Sequence, residues 1–324
     1  MLEKIAKVIF GMENSRKTIS IATGCYNEVE NIPVFYERIM AVLQRHPAYD
    51  YEFVVEDNCS TDGTRQVLRE IAAKDPKFRV IFNANNFGHI RSPYNALLSA
   101  SGDAVLYICS DLQEPPEMLD VFLEKYEAGY QVICGVKPKS KENPLMFQVR
   151  RFYYWLLGKF SDTVQIQNFT GFGLYDRKFL DALKQFRDPY PYFRGLVSEI
   201  GFRRIEVPFV QEKRQFGVTK NNFFTLYDMA MTGFVNHTKM PLRLAVLTGF
   251  LIGVFSFLVA AVYLVLKLIW WDTFSLGLAP LVIGLFFLGA VQLIFIGIIG
   301  EYLGAVWTQV KNRPLVIEEE RINF

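Results

Sequence analysis

The stretch YEFVVEDNCSTDGT, residues 51–64, runs from an apolar strand through a polar turn into the start of a helix. Tyr51 to Val55 reads as the strand, Glu56-Asp57-Asn58 follow at its carboxyl end, and Asp62 is placed to cap a helix over Thr64 to Lys74. The same unit recurs on both sides. Before it, Thr18 to Cys25 (TISIATGC) reads as a buried strand, with a helical pattern from about Asn31 to Arg45. After it come a strand at Phe78 to Phe82, a helix at Arg91 to Ser101 and a strand at Ala104 to Cys109. Pro115-Pro116 then opens a helix to about Tyr126, and Gln131 to Val136 is a fifth strand. Strands alternating with helices of this length predict an α/β fold, a parallel sheet covered on both faces. In such sheets ligands bind beyond the carboxyl ends of the strands. Tyr26-Asn27-Glu28, Glu56-Asp57-Asn58 and Ser110-Asp111-Leu112-Gln113 all stand at those ends and form the default active site.

Composition narrows the function classes. The 324 residues are 51% hydrophobic, with 35 Lys+Arg against 33 Asp+Glu, so no global positive charge is available for nucleic acid. The four cysteines, Cys25, Cys59, Cys109 and Cys134, form no C-x-x-C pair, and only three histidines are present. A disulfide framework, a cysteine-rich zinc site and a histidine-built metal centre are therefore poor readings. No G-x-G-x-x-G opens the first helix and no G-x-x-x-x-G-K-[ST] occurs, which removes the fingerprints of dinucleotide oxidoreductases and P-loop NTPases.

The apolar excess lies at one end. Leu244 to Leu266 and Thr273 to Gly300 contain no charged residue, and each exceeds the roughly 20 residues needed to cross a bilayer core. They predict a transmembrane hairpin over 244–300, with spans at about 244–267 and 273–300, rather than two buried helices of a soluble core. Trp270 and Trp271 in the connector suit a membrane–water interface. Lys220, Lys239 and Arg243 precede the first span, and Lys311 and Arg313 follow the second, while the connector offers only Lys267 balanced by Asp272. That asymmetry places the large N-terminal part in the cytoplasm and the protein in the inner (plasma) membrane. Asn222 to Thr238 puts Phe223, Leu226, Ala230 and Phe234 on one helical face, an amphipathic helix at the membrane surface or, alternatively, a core-packed one. The expected organisation is an N-terminal extension (1–16), a cytoplasmic domain (17–221), a juxtamembrane helix (222–243), the hairpin, and a tail (301–324) whose acidic Glu318 to Glu320 is solvated.

Asp111 with the amide oxygen of Gln113 is a partial shell for Mg²⁺ or Mn²⁺ bound mainly through phosphates and water. Arg214-x-x-Gly217-x-Thr219-Lys220 combines a forked guanidinium with a point charge, suited to phosphate oxygens or to a solvated face near anionic headgroups. Lys137 and Arg151 are further candidates for phosphate.

In order along the chain, Tyr26-Asn27-Glu28-x-Glu30-Asn31, Glu56-Asp57-Asn58-x-Ser60-Thr61-Asp62-Gly63-Thr64, Asn86-Phe87-Gly88-His89 and Asp111-Leu112-Gln113-x-Pro115-Pro116 resemble the inverting glycosyltransferases of family 2. The Arg214–Lys220 segment, Pro241-Leu242-Arg243, the two spans, Gly300-Glu301-Tyr302-Leu303 and Val310-Lys311-Asn312-Arg313-Pro314 narrow this. They look like the polyprenyl-phosphate glycosyltransferases, the group containing dolichol-phosphate mannose synthase and the bacterial undecaprenyl-phosphate sugar transferases. The resemblance implies a GT-A nucleotide-sugar domain, a nucleotide-sugar donor, a polyprenyl phosphate acceptor and a divalent metal, with the lipid delivered from the bilayer. It implies that Asp57 binds the donor nucleobase, with Tyr26 and Glu28 lining the nucleotide pocket. Asp111 and Gln113 would hold the metal, and Arg214 and Lys220, joined by Lys137 and Arg151, would clamp the phosphates. Cys109 stands where the family has the first acid of Asp-x-Asp-x-Gln, and a thiol is a soft ligand ill matched to Mg²⁺. Thr170-Gly171-Phe172-Gly173-Leu174 replaces Gly-Asp-Phe-Arg-Leu, so the acid of that segment has no counterpart.

A hydroxyl acceptor would need a general base, but a phosphate monoester, with a second pKa of about 6, is already largely a dianion near neutral pH. The chemistry therefore tolerates a site with few carboxylates. Two rivals remain on the sequence: a processive polysaccharide synthase, for which Gln148-Val-Arg-Arg151-Phe152 lies too early and two spans are too few, and a degenerate relative acting as a lipid-binding or assembly partner in cell-envelope glycan modification. Gly249-x-x-x-Gly253 and Gly300-x-x-x-Gly304 permit close helix contact and homo-oligomers.

Overall fold

The computed structural model describes residues 16–137, 166–214, 231, 235, 238–270 and 278–324. The chain divides into two compact units, one holding a sheet and including Asn312–Phe324, the other holding two long helices. The expected N-terminal extension falls almost wholly outside the described residues, the juxtamembrane segment 222–243 is described only at 231, 235 and 238–243, and Arg151 and Lys220 lie outside.

The sheet unit alternates as its sequence predicts. β1 (Thr18–Cys25), α1 (Asn31–Leu43), β2 (Asp50–Asp57), α2 (Thr64–Lys74), β3 (Phe78–Asn83), α3 (Gly88–Ser99), β4 (Ala104–Tyr107), α4 (Met118–Glu127) and β5 (Val132–Val136) follow one another. Beyond the undescribed stretch come β6 (Phe169–Asp176), α5 (Arg177–Leu183), α6 (Phe193–Ile200) and β7 (Arg204–Pro208). A last strand, β8 (Glu318–Ile322), lies near the C-terminus. The eight strands form one sheet in the order β7-β5-β6-β4-β1-β2-β3-β8. β4, β1, β2 and β3 are mutually parallel, as are β5 and β7, whereas β6 runs antiparallel to both β4 and β5.

β2 shows why both faces are covered. Phe53 and Val55 join Phe35 and Ile39 of α1, Leu68 of α2 and Phe122 of α4 on one side. Val54, between them, joins Tyr94 and Leu97 of α3, Phe179 of α5 and Leu196 of α6 on the other. Successive strand residues point to opposite faces, so a strand apolar throughout is held only between two helical layers.

β8 departs from the expected solvated tail. It pairs antiparallel with β3, Val80 facing Ile322 and Phe82 facing Glu320. The acidic residues are tolerated because basic side chains of α2 meet them: Arg65 binds Glu319 at 2.9 Å and Arg69 binds Glu320 at 2.5 Å. Asn323 donates its amide to the carbonyls of Ala72, Asp75 and Phe78, closing the end of the strand.

In the second unit, α7 (Met240–Ile269) and α8 (Leu278–Lys311) are both long and apolar enough to cross a membrane. Their large apolar side chains face outward, with Phe255 and Phe286 both largely exposed. The N-terminus of α7 is fixed by Thr238, whose hydroxyl accepts the Met240 N–H at 3.1 Å while its carbonyl accepts the Tyr302 hydroxyl at 2.6 Å.

Phe53 is fully buried, with its ring centroid 5.3 Å from those of Tyr36 and Phe78. Phe53→Ala is expected to cost about 3–5 kcal/mol, read as a lowered midpoint of thermal unfolding of the detergent-solubilised protein; an unchanged midpoint would contradict this packing.

Candidate active site

Parallel register brings three turns to one edge of the sheet. Cys25 stands beside Asp57 across β1 and β2, and Ala22 beside Tyr107 across β1 and β4. Just past each strand the chain passes through a left-handed residue that is not glycine: Asn27 at φ 57°, Cys59 at φ 64° and Leu112 at φ 59°. Such backbone is uncommon, costs of order 1–3 kcal/mol for a residue like leucine, and clusters at functional sites. Hydrogen bonds between the turns hold it. Asn27 donates its N–H to Ser60 Oγ at 2.9 Å and accepts the Thr61 N–H at 2.8 Å. The Glu28 N–H reaches Thr64 Oγ1 at 2.9 Å. Asn58 accepts the Phe87 N–H and donates to Asn86 Oδ1, both at 2.8 Å, binding the turn after β3 to that after β2. Ser110 Oγ donates to the Gly24 carbonyl at 3.1 Å.

An ion cluster forms where these turns meet the segment after β7. Arg214 Nη2 lies 2.5 Å from Glu28 Oε1, and Nη1 lies 4.0 Å from Asp111 Oδ2. The three are partly open to solvent, with Arg214 and Asp111 both 21% exposed. The segment is tied to the Asp111 turn by the Glu212 N–H, which donates to the Gln113 carbonyl at 3.0 Å. Arg38 of α1 anchors Glu212 through two bonds of 3.1 Å. The structure thus brings together Glu28, Asp111, Gln113 and Arg214. Tyr26 is half-buried within the first turn. Lys137, half-buried at the end of β5, has its ammonium pushed below the ordinary lysine range by burial, opposed by the charges of Glu114 and Asp111.

Asp57 stands apart from this cluster. It is closed to solvent, takes the Arg65 Nε–H at 2.8 Å, and accepts the Ser60 N–H at 3.2 and 3.3 Å.

Two carboxylic acids here were not singled out as individual site candidates. Glu114 is buried and accepts the Cys109 N–H at 2.9 Å and the Thr170 hydroxyl at 2.8 Å. Burial raises its pKa, and the two donors oppose the rise. No local feature of the sequence marks it, since its partners Cys109 and Thr170 are set by the fold. It explains Thr170, which fills a position where the family resemblance expects glycine. The glycines that follow are structural: Gly171 has φ 107°, and a Cβ on Gly173 would lie 2.2 Å from the Ile133 carbonyl oxygen. Glu56 is fully buried between Asn83 and Asn95, which donate at 2.7 and 2.9 Å, and its pKa is pushed up to about 8 by burial.

For metal, Asp111 and Gln113 present hard oxygen donors, and Asp111 Oδ1 accepts the Gln113 N–H at 3.3 Å in a tight turn. Among the described residues no three His, Cys, Asp or Glu side chains form a metal cluster. This donor set fits a hard cation completed by phosphate oxygens and water. Cys109 is exposed and unpaired in any disulfide.

The Glu56 environment makes a pH prediction. The folded protein keeps a proton that the unfolded chain, at 4.5, has lost, so stability from this group is present below about 4.5 and declines as pH rises toward about 8. Glu56→Gln should unfold at a higher temperature than the parent at pH 8, with the advantage shrinking or reversing at pH 5. A pH-independent difference between their melting points would count against a neutral Glu56.

Residues 20–183 match the family described as Glycosyl transferase family 2. The chain is 35% identical over 303 residues to the uncharacterized glycosyltransferase YkcC of Bacillus subtilis (strain 168), covering 93% of each chain. It is 31% identical over 300 residues to the SfII prophage-derived bactoprenol glucosyl transferase of Shigella flexneri, covering 92% of this chain and 96% of that one. Among solved structures, the mannosyltransferase PcManGT from Pyrobaculum calidifontis, in complex with GDP-Man and Mn²⁺, matches with a TM-score of 0.46 and 18% identity over 75% of this chain and 71% of that one. With the family match running from β1 through α5 and relatives aligned over nearly the whole length, the chain belongs to glycosyl transferase family 2, and its α/β sheet is of the GT-A type.

Proposed function

We propose that this protein is a membrane-bound, inverting glycosyltransferase that moves a sugar from a nucleotide-sugar donor to a polyprenyl phosphate, giving a polyprenyl-phosphate sugar. The observation that carries the reading is Arg214 held between Glu28 and Asp111 at the carboxyl ends of β1 and β4. A guanidinium beside a carboxylate suited to a hard cation is an arrangement for anions: either charge can be given up to an incoming phosphate. Relatives aligned over 92% of the chain are named bactoprenol glucosyl transferases, an activity that fits this site.

In this reading an acceptor phosphate oxygen attacks the anomeric carbon as the bond to the donor's diphosphate oxygen breaks. A polyprenyl-phosphate sugar forms, a nucleoside diphosphate leaves, and the configuration inverts. The acceptor, already ionised, needs positioning and charge screening rather than proton removal. Arg214 supplies both, with Glu28 fixing its fork, and Lys220, Lys137 and Arg151 are assigned to the same phosphates. Asp111 and Gln113 would hold Mg²⁺ or Mn²⁺, which neutralises charge on the leaving diphosphate. Tyr26, Glu28 and Asp57 take the nucleoside end.

The two long helices are read as membrane spans with the sheet unit in the cytoplasm at the inner membrane. β8, which follows the second helix, is hydrogen-bonded to β3, which precedes the first, and this supports a reading in which both flanks of the hairpin share one side of the bilayer. An even number of crossings meets that demand. Gly249, Gly253, Gly300 and Gly304 leave open surface on these helices, where copies of the chain can pack closely.

Full-length protein in detergent, given a panel of labelled nucleotide sugars, a short polyprenyl phosphate and Mg²⁺, should move label into organic-extractable lipid with an inverted anomeric centre. Asp111→Ala and metal chelation should each lower transfer by about 10²-fold or more. Lack of transfer from every donor by the parent protein, or a product of retained configuration, would overturn the assignment.

A further inference from the structure

The consecutive residues Glu56-Asp57 at the end of β2 are each joined, through a single side chain, to the consecutive residues Glu318-Glu319 on β8. Arg65 donates from Nε to Asp57 at 2.8 Å and from Nη1 to Glu319 at 2.9 Å, and its third nitrogen donates to the Asn83 carbonyl at 2.6 Å. Asn95 donates its amide to Glu56 at 2.9 Å and to Glu318 at 3.3 Å. Arg65 also lies over the Phe82 ring, 5.3 Å from its centroid. Its guanidinium therefore has partners on every nitrogen and little freedom to turn. Asp57 has no solvent exposure, so its carboxylate direction depends on Arg65 and the Ser60 N–H, whereas Glu319 is 56% exposed.

We infer that β8 is a positioning element for the nucleotide end of the site: Glu319 orients Arg65, and Arg65 orients Asp57 toward the donor's nucleoside diphosphate. The inference rests on the reading that Asp57 meets that nucleoside. Arg65 and Glu319 touch no substrate and act through Asp57. The neighbouring pair Arg69–Glu320 supplies an internal control. It docks the same strand to the same helix with a fork of two bonds, at 2.8 and 2.5 Å, and Arg69 stacks on Phe82 at 4.5 Å. Neither Arg69 nor Glu320 is hydrogen-bonded to Asp57.

The test is calorimetric titration of the full-length protein with UDP, GDP, ADP and CDP in turn, each with Mg²⁺, for the parent and for Asp57→Ala, Arg65→Ala, Glu319→Ala, Glu319→Gln and Glu320→Ala. Asp57→Ala and Arg65→Ala should weaken the bound nucleotide about tenfold or more. Glu319→Ala should weaken it about threefold, the size a half-exposed ion pair supports. Glu319→Gln, which keeps an acceptor oxygen, should recover most of that loss, and Glu320→Ala should bind as the parent does. Melting points of Glu319→Ala and Glu320→Ala should fall by similar amounts. Equal nucleotide affinity for these two variants, with Asp57→Ala impaired, would overturn the relay while leaving the role of Asp57 standing. Unimpaired binding by Asp57→Ala, or a parent that binds none of the four nucleotides, would overturn both.

Discussion

Parallel pairing of β4, β1, β2 and β3 is the constraint from which the site follows. Strands running the same way must all leave the sheet at the same edge, and register sets how far each projects. Cys25 ending level with Asp57 puts the turns at residues 26–30 and 57–63 side by side, close enough for Asn27, Ser60 and Thr61 to exchange hydrogen bonds. Those bonds offset the left-handed backbone at Asn27 and Cys59, which neither turn would hold alone.

The price of that convergence is crowded negative charge. Glu28, Glu56, Asp57, Asp111 and Glu114 all lie near the ends of β1, β2 and β4, and the fold handles them in three ways. Glu28 and Asp57 receive guanidinium partners, from Arg214 and Arg65. Glu56 and Glu114 are withdrawn from water, which favours their neutral forms. Asp111 stays partly open to solvent, 4.0 Å from Arg214. Cys109 belongs in this account. Its backbone N–H already binds Glu114, and a carboxylate at 109 would add another negative charge beside Glu114 and Asp111. A small neutral side chain there lightens the electrostatic load.

Much of this was legible in the chain itself. The apolar run TISIATGC gave a strand with the boundaries observed, YEFVV lies inside a β2 that extends to Asp50 and Asp57, and Asp62 does accept the Thr64 N–H at 3.0 Å beside the predicted helix start. Motif residues at strand ends came out adjacent because parallel topology guarantees it. What escaped were the distant contacts that no motif marks. Arg65 carries no local mark to separate it from any other helical arginine; its meaning lies in Glu319, 254 residues away. Glu318 to Glu320 read as solvated because three acids in a row argue against burial, and only the basic face of α2 makes a strand of them. β6 and β7 went unread because the alternation of strand and helix breaks down after Val136.

The last strand also fixes an order of events in the making of the protein. Translation proceeds from the N-terminus, so β3 exists long before β8, and the two apolar helices are synthesised between them. Until both helices and β8 itself have been made, the outer edge of β3 carries unpaired backbone groups, the kind that invite association with other chains. Completion of the sheet is thereby coupled to completion of the two long apolar helices. A chain stalled or cut short within those helices would keep its first seven strands and a raw edge.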